Sequence, residues 1–284
     1  MAKFTTQYAA LIAVTTGVFL TFVACGSQFY KVTLDGDSGP RTTSSRTNTQ
    51  NPQSKGAESR MDSDPKSNWY AIHAPGGWVE KPVHYRLDPR MAKAQMEGIQ
   101  KAMRTWELAV GKNIFAYDGV QASVNGDSFK DLYSSLDDHV NGLYLDNDWA
   151  KTGKDHIVLA TTIWDNDPSD LEKIMTADMR YNNNDYVFGD SLVIWPEEGR
   201  EVVDLQTVAT HELGHFLGLN HVDAKVDPDS IMVAALYIGQ GVTQRTISRD
   251  DIRRMHKIYG CSASACDVEA TLLKIDEFVK PSDE

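Results

Sequence analysis

Positive charge is scarce in this sequence of 284 residues, which has 28 lysines and arginines against 40 aspartates and glutamates, a net charge of −12. Because nucleic-acid binding needs a basic face that neutralises phosphates, this balance argues against such a partner. Calcium-binding loops of ordered spacing are absent too, although Asp- and Asn-rich stretches occur at 146–148, 165–167 and 182–185. We interpret these stretches as solvated loops, and calcium binding is an alternative that no motif carries. The chain also lacks an internal repeat.

No apolar run is long and uninterrupted enough for a membrane span, although residues 9–23 are mostly apolar. With Lys3 near the start, this stretch predicts an export signal over residues 1–25. Small residues precede Cys25, which resembles the lipobox of bacterial lipoproteins. The resemblance implies that Cys25 becomes an acylated N-terminus on a bacterial membrane, and Gly26 after it favours the outer membrane or cell surface. An ordinary signal peptide that is cleaved nearby is the alternative.

Apolar residues are also few in the stretch that follows. Residues 26–68 consist mainly of Ser, Thr, Asn, Gln, Gly and charged residues, so we expect a disordered tether that lets the folded part stand away from the membrane. A pro-segment that folds against the domain is the alternative. The catalytic domain is then expected at 69–266, and a C-terminal tail or short helix at 267–284.

Cysteine is limited to three residues. With Cys25 assigned to lipid, Cys261 and Cys266 remain, and an exported protein meets an oxidising compartment in which they can form a disulfide. Two free thiols are the alternative, because geometry and not the number of cysteines decides whether a bridge forms.

The most informative stretch present is HELGHFLGLNH, which places three histidines and a glutamate at spacings that suit a catalytic zinc site. Residues four apart share one face of a helix, so His211 and His215 can direct ring nitrogens at one ion. Gly218 allows a left-handed reversal after the helix, and this turn returns His221 as the third ligand. Three nitrogen ligands leave the fourth position of a tetrahedral zinc open. Glu212 lies one step around the helix and can reach a water at the metal.

The flanking residues support the same helix and its surroundings. Asp204 is placed to cap the first turn, and its charge suits the positive end of the helix dipole. Ala209, Leu213 and Phe216 share a stripe, which predicts a packing face opposite the metal-binding face. Met232 is the candidate for a Met-turn below the metal, with simple core filling as its alternative. For the histidines, the alternative is an ordinary amphipathic helix.

Hydrophobic periodicity predicts further helices. The strongest runs from Ala92 to Val110, after a cap at Asp88 and before a stop at Gly111. Two more are expected, from Ser248 to Gly260 and over 268–279. We predict strands at 81–87, 114–117, 156–160, 174–181 and 191–195, whereas residues 118–154 read as a long surface excursion with weak structure.

This order of elements resembles the catalytic domain of the metzincins, and most of all the matrixins with their bacterial members. The resemblance covers about residues 78–260 and rests on three stretches, 82–87, 204–223 and 248–260. It implies an α+β fold: a twisted mixed sheet with long helices, an active-site helix, a Met-turn and a zinc ion at the floor of a cleft. Residues 118–154 lack the His and Asp pattern of a structural zinc, so we expect one zinc ion only.

The motif and the resemblance together predict a zinc-dependent endopeptidase that hydrolyses proteins or peptides. Glu212 would take the proton from the attacking water and deliver it to the departing amine. An extended substrate would add to an exposed sheet edge somewhere in 174–195. We expect a monomer. The alternatives are a membrane-anchored surface binding module that keeps the zinc fold without proteolysis and a metal-sequestering lipoprotein, and Glu212 argues against both because neither needs a carboxylate there.

Overall fold

A computed structural model of the chain describes residues 30–33, 71–197 and 199–280. The predicted export signal, Cys25 and most of the predicted tether lie outside the described residues. The helices are α1 (Lys93–Val110), α2 (Leu205–Phe216), α3 (Arg249–Tyr259) and α4 (Val268–Val279). The strands are β1 (Tyr30–Thr33), β2 (Gly77–Trp78), β3 (Val83–Leu87), β4 (Phe115–Val120), β5 (Gly142–Asp146), β6 (Ala160–Asp167), β7 (Asp170–Asn182), β8 (Tyr186–Gly189), β9 (Glu201–Asp204) and β10 (Ala235–Ile238). In the described part of the chain, no helix has the length and apolarity of a membrane span.

Six strands form the central sheet, in the order β2-β7-β5-β3-β4 with β6 added to β7. All pairs in this sheet are parallel except β6 with β7, which is antiparallel. The long strand β7 is interior, since it pairs with β6 on one side and with β2 and β5 on the other. The predicted α+β fold with a mixed sheet is confirmed, and β6 forms one outer edge of the sheet.

Helix α1 supports α2, the helix that carries the zinc motif. Its buried residues recur at steps of three and four, among them Ile99, Met103 and Trp106. The Trp106 indole donates a hydrogen bond of 2.9 Å to the backbone oxygen of Thr210 in the middle of α2. Gly111 ends α1 in a left-handed conformation, with φ of 67°, as predicted. The apolar stripe of α1 therefore fixes the position of the zinc-motif helix.

The predicted cap at Asp88 is wrong, because α1 begins at Lys93 with Ala92 as its N-cap. Asp88 is fully buried, and its carboxylate accepts hydrogen bonds from Arg90 and from backbone amides on two other segments. Both carboxylate oxygens of Asp88 already accept hydrogen bonds from these groups, and neither caps α1, which begins five residues later. Asp88 instead connects the end of β3 to β5 through the amide of Leu145.

The expected surface excursion over 118–154 is also wrong in part, because it contains β5, a strand whose five residues are all buried in the sheet. Strand β6 begins at Ala160, so the strand expected at 156–160 lies further along the chain. Residues 191–195 form a turn with Val193 and Trp195 exposed, and the strand before α2 is β9 instead. These segments are short and both faces of β5 are covered, so alternation of polar and apolar residues does not reveal them.

Strand β1 belongs to the stretch that we expected to be a disordered tether. It pairs antiparallel with β10, with Tyr30 opposite Ile238 and Thr33 opposite Ala235. The expectation of a structureless segment therefore does not hold for these four residues. A strand such as β10 offers unpaired backbone groups at its edge, and a segment with β-branched residues can add to it.

Helices α3 and α4 close the domain beside α1. Ser248 caps α3 by accepting from the amide of Asp251, and Gly260 ends it, both as predicted. A disulfide joins Cys261 and Cys266 in the connection to α4, with 5.2 Å between their Cα atoms. Helix α4 packs on α1 and α3, with Ile275 fully buried.

Candidate metal centre

The helix that carries the zinc motif starts at a strongly held cap. The Asp204 carboxylate accepts from the amide of Thr207 at 3.0 Å and from the Arg245 Nε at 2.9 Å. All 12 residues of α2 are buried, the metal-binding face with His211 and His215 as well as the packing face. The sheet and α1 pack around the apolar side of the helix, and the segment after it covers the histidines. His211 and His215 are therefore shielded from bulk water, and His221 is partly buried.

His211 and His215 are held by backbone carbonyl groups. The Nδ1 atoms of these rings lie 2.6 Å from the oxygen of Ile231 and 2.7 Å from the oxygen of Leu219, respectively. Because a carbonyl oxygen only accepts, each Nδ1 carries the proton and each Nε2 keeps a lone pair. The two Nε2 atoms lie 3.1 Å apart. The hydrogen bonds thus select the tautomer that a metal ligand needs.

His221 returns to the same place through the turn at Gly218. Gly218 has φ of 108°, and an added Cβ would lie 2.8 Å from the oxygen of Ala74, so only glycine suits this position. After the turn, the amide of Val222 donates to the oxygen of Met232 at 2.9 Å. The ring centroid of His221 lies 4.7 Å from that of His215 and 5.3 Å from that of His211.

The three histidines suit a zinc ion by donor type and spacing. One ligand atom from each lies within 4.8 Å of the others, and no second group of three or more such ligands occurs among the described residues. Two nitrogens that share a tetrahedral zinc at about 2.05 Å lie roughly 3.3 Å apart, close to the separation of the His211 and His215 Nε2 atoms. Three imidazoles, two of them held by backbone carbonyl groups, therefore fit one zinc ion.

Met232, the predicted Met-turn residue, lies directly against the zinc-motif helix. The side chain is fully buried, and a Cβ added at Gly214 would overlap its sulfur atom. Gly214, between the two helical histidines, is therefore a packing requirement. The Ser230 hydroxyl accepts from the Met232 amide and donates to Asp251 on α3, so the turn is tied to a second helix.

Glu212 is fully buried beside the histidines and contacts strand β6. The hydroxyl of Thr162 lies 2.6 Å from Glu212 Oε2 and 3.1 Å from the Glu212 backbone oxygen. Behind it lies Tyr181, whose pKa is raised by burial and further by the charge of Glu212. The carboxylate therefore has a fixed place in the protein interior.

His73 supports the centre from outside the motif, and sequence reasoning did not identify it. Its Nε2 donates to the backbone oxygen of His215 at 2.8 Å, and its ring stacks on Trp164 with centroids 4.0 Å apart. Burial lowers the pKa of His73 to about 3, so the ring is neutral. Neither His73 nor Thr162 carries a local sequence signal, because each acts across a long separation in the chain.

Other sequence-predicted sites lie elsewhere. The disulfide of Cys261 and Cys266 is in the connection after α3, and Cys25 lies outside the described residues. Of the candidate calcium stretches, the first contains Asp146, which is fully buried in an ion pair with Arg180, with 3.0 Å between Oδ2 and Nε. A guanidinium group therefore already neutralises that carboxylate.

Residues 77–260 match the family model of the matrixins, and this match spans more than half of the chain. The chain therefore belongs to the matrixin family of zinc-dependent metalloproteases. A stretch of 59 residues, 21% of this chain, is 42% identical to the metalloendoproteinase 5-MMP of Arabidopsis thaliana. That stretch spans only 15% of the Arabidopsis protein. The resemblance drawn from the sequence is confirmed at the level of the family.

Proposed function

We propose that this chain is a zinc-dependent endopeptidase in which His211, His215 and His221 hold the ion and Glu212 acts as general base. The observation that carries the proposal is the convergence of three imidazoles beside one buried carboxylate. A binding module or a metal store would need the histidines, but neither would need a carboxylate buried next to them.

When bound, zinc makes a water molecule nucleophilic at neutral pH and polarises the scissile carbonyl. The Nε2 atoms of His211 and His215 would hold the ion, because their Nδ1–H groups donate hydrogen bonds to the carbonyl oxygens of Ile231 and Leu219. The Glu212 carboxylate takes a proton from water during attack and passes it to the departing amine nitrogen. Burial of this carboxylate excludes bulk water, which strengthens each electrostatic interaction in the site.

We propose the edge of β6 as the place for an extended substrate, outside the expected range 174–195; within that range, β8 has β9 as its strand partner among the described residues. Most of that range lies in β7, which is interior, or in an exposed turn. In the described part of the chain, β6 pairs with β7 alone; residues 160–164 are buried, and residues 165–167 are the partly exposed end of its other edge. Main-chain hydrogen bonds to residues 165–167 would hold a peptide three residues along the strand from Thr162, which contacts Glu212.

A quenched peptide library tests the proposal on the purified full chain supplied with zinc. We expect cleavage that a chelator abolishes and zinc restores. Glu212→Gln should retain one equivalent of zinc and the native circular dichroism spectrum but lose at least about 100-fold in kcat. Glu97→Gln, on the exposed face of α1, is the matched control and should leave kcat unchanged. Equal turnover by Glu212→Gln and the parent protein would contradict the proposal.

We further propose that the protein is exported and attached to a bacterial membrane through acylated Cys25. The support is the sequence before this cysteine. In cells fed an alkyne-labelled fatty acid, the parent protein should carry the label and sediment with membranes, and Cys25→Ser should do neither. Label on the variant, or a soluble parent protein, would contradict the anchor and leave the catalytic proposal intact.

A further inference from the structure

The edge strand β6 has two faces, and the one toward α2 reaches the C-terminal half of the catalytic helix, directly at Glu212 and through His73 at His215. Thr162 and Trp164 lie on this face, two residues apart. Thr162 contacts Glu212, and Trp164 stacks on His73, which in turn bonds to the backbone of His215. Thr161 and Ile163 lie on the other face, where Ile163 packs under residues 132 and 136.

We infer that Thr162 is a positioning residue for Glu212, an inference that rests on the proposed function. A glutamate side chain has three rotatable bonds, and burial alone does not fix the plane of its carboxylate. The Thr162 hydroxyl, 2.6 Å from Oε2, fixes that plane through a short charge-assisted hydrogen bond. Thr162 is not among the three candidate metal ligands and its hydroxyl contacts Glu212, so its inferred action on the reaction goes through Glu212.

Three features make the Thr162 hydroxyl a rigid support. The residue is β-branched, which restricts its χ1 angle. It is fully buried, and its backbone lies opposite Met179 in the ladder between β6 and β7. The same hydroxyl also lies 3.1 Å from the backbone oxygen of Glu212, so side chain and backbone of the base share one anchor. A movement of β6 would therefore move the carboxylate.

The inferred role also links substrate binding to the base. The proposed substrate edge at residues 165–167 and Thr162 belong to the same strand, so a shift of β6 on peptide binding would also move the hydroxyl that contacts Glu212. Because misplacement of a reacting group by about 1 Å can cost about 100-fold in rate, the support of the base matters to kcat.

The test compares Thr162→Val, which keeps the β-branched shape but removes the hydroxyl, with Thr162→Ser, which keeps the hydroxyl. For Thr162→Val we expect a kcat about 10- to 100-fold lower, KM within about twofold, and unchanged zinc content. Thr162→Ser should recover kcat to within about threefold of the parent. Thr161→Val is the matched control, because Thr161 is equally buried on the same strand but its hydroxyl has no hydrogen-bond partner among the described residues.

A double-mutant cycle on the urea midpoint of unfolding tests the contact between Thr162 and Glu212 without measuring turnover. The shifts caused by Thr162→Val and Glu212→Gln should be less than additive, whereas those of Thr161→Val and Glu212→Gln should add. If Thr162→Val does not fold, Thr162→Ala takes its place in both measurements.

Three results separate the inference from the proposed function. A Thr162→Val enzyme with the kcat of Thr161→Val, or additive midpoint shifts in the cycle with Glu212, would overturn the positioning role. Full turnover by Glu212→Gln would overturn the proposed function itself. A fall in zinc content that accounts for the loss of kcat in Thr162→Val would assign Thr162 to the metal centre and would also overturn the inference.

Discussion

Asp178 supplies a test of the electrostatics of the fold that does not involve the metal centre. It lies on β7 at full burial, and its Oδ1 accepts from the amide of Gly142 at 2.7 Å. Burial raises the pKa of this carboxyl from 3.8 to about 7, and the charge of Asp138 adds to the effect. The Ser135 hydroxyl, the Gly142 amide and the Arg180 guanidinium lower the pKa but do not cancel the effect of burial. Replacement by asparagine removes the buried charge and keeps an oxygen for Gly142.

The direction of the pH dependence follows from the number of protons that the folded and unfolded states bind. Between pH 4 and pH 7 the folded protein keeps a proton on Asp178 that the unfolded chain releases, so the stability from this group falls as pH rises through that range. A tenfold change in proton affinity is worth about 1.4 kcal/mol, and the full difference in pKa therefore corresponds to about 4 kcal/mol. About 2 to 3 kcal/mol of this loss falls between pH 5 and pH 8.

We therefore expect Asp178→Asn to gain about 2 to 3 kcal/mol relative to the parent on going from pH 5 to pH 8. Urea unfolding followed by tryptophan fluorescence, with the same zinc concentration for both proteins at each pH, measures this difference. Asp229→Asn, at an exposed position, is the control and should follow the parent at both pH values. A stability difference between Asp178→Asn and the parent that is the same at pH 5 and pH 8 would refute the reasoning.

Two further predictions concern packing and the disulfide. Gly214→Ala should lower the free energy of unfolding by about 1–3 kcal/mol, because the new methyl group overlaps the sulfur of Met232. Gly98→Ala on α1 is the control, because a Cβ added there would meet no atom closer than 4.0 Å. It should be neutral or stabilising in the same urea titration. Equal losses of stability at the two glycines would contradict the packing argument. Replacing both Cys261 and Cys266 by serine should cost about 2 kcal/mol, since the bridged loop is short, while kcat stays unchanged. A lower zinc content in that double variant would count against this separation of the disulfide from the metal centre.

Local chemistry explains why the histidine motif could be interpreted from sequence. The spacing of His211 and His215 is a property of the helix itself, and Gly218 and Asp204 are signals that act within a few residues. The same holds for α1, where apolar residues repeat over five turns up to Gly111. The family match confirms the fold that these signals imply.

The parts that escaped prediction depend on contacts between distant segments. Strand β5 has five buried residues and no alternation, because both faces of the sheet are covered. His73 lies 142 residues from His215, and Thr162 lies 50 residues from Glu212. Residue spacing in the sequence does not predict such pairs, since their contacts depend on how the sheet places β6 over the helix.

The pairing of β1 with β10 has a bearing on where the enzyme would work. Tyr30 is five residues from Cys25, and five extended residues reach at most about 18 Å. Strand β10 begins three residues after Met232, and the bridge between Val222 and Val233 connects that region to the residue after His221. If Cys25 carries acyl chains, the pairing of β1 with β10 would hold the metal centre close to the bilayer surface. A flexible tether over residues 26–68 would let it move much further away. Faster cleavage of vesicle-tethered peptides than of soluble ones would reveal such a restricted working distance, and equal rates would argue against it.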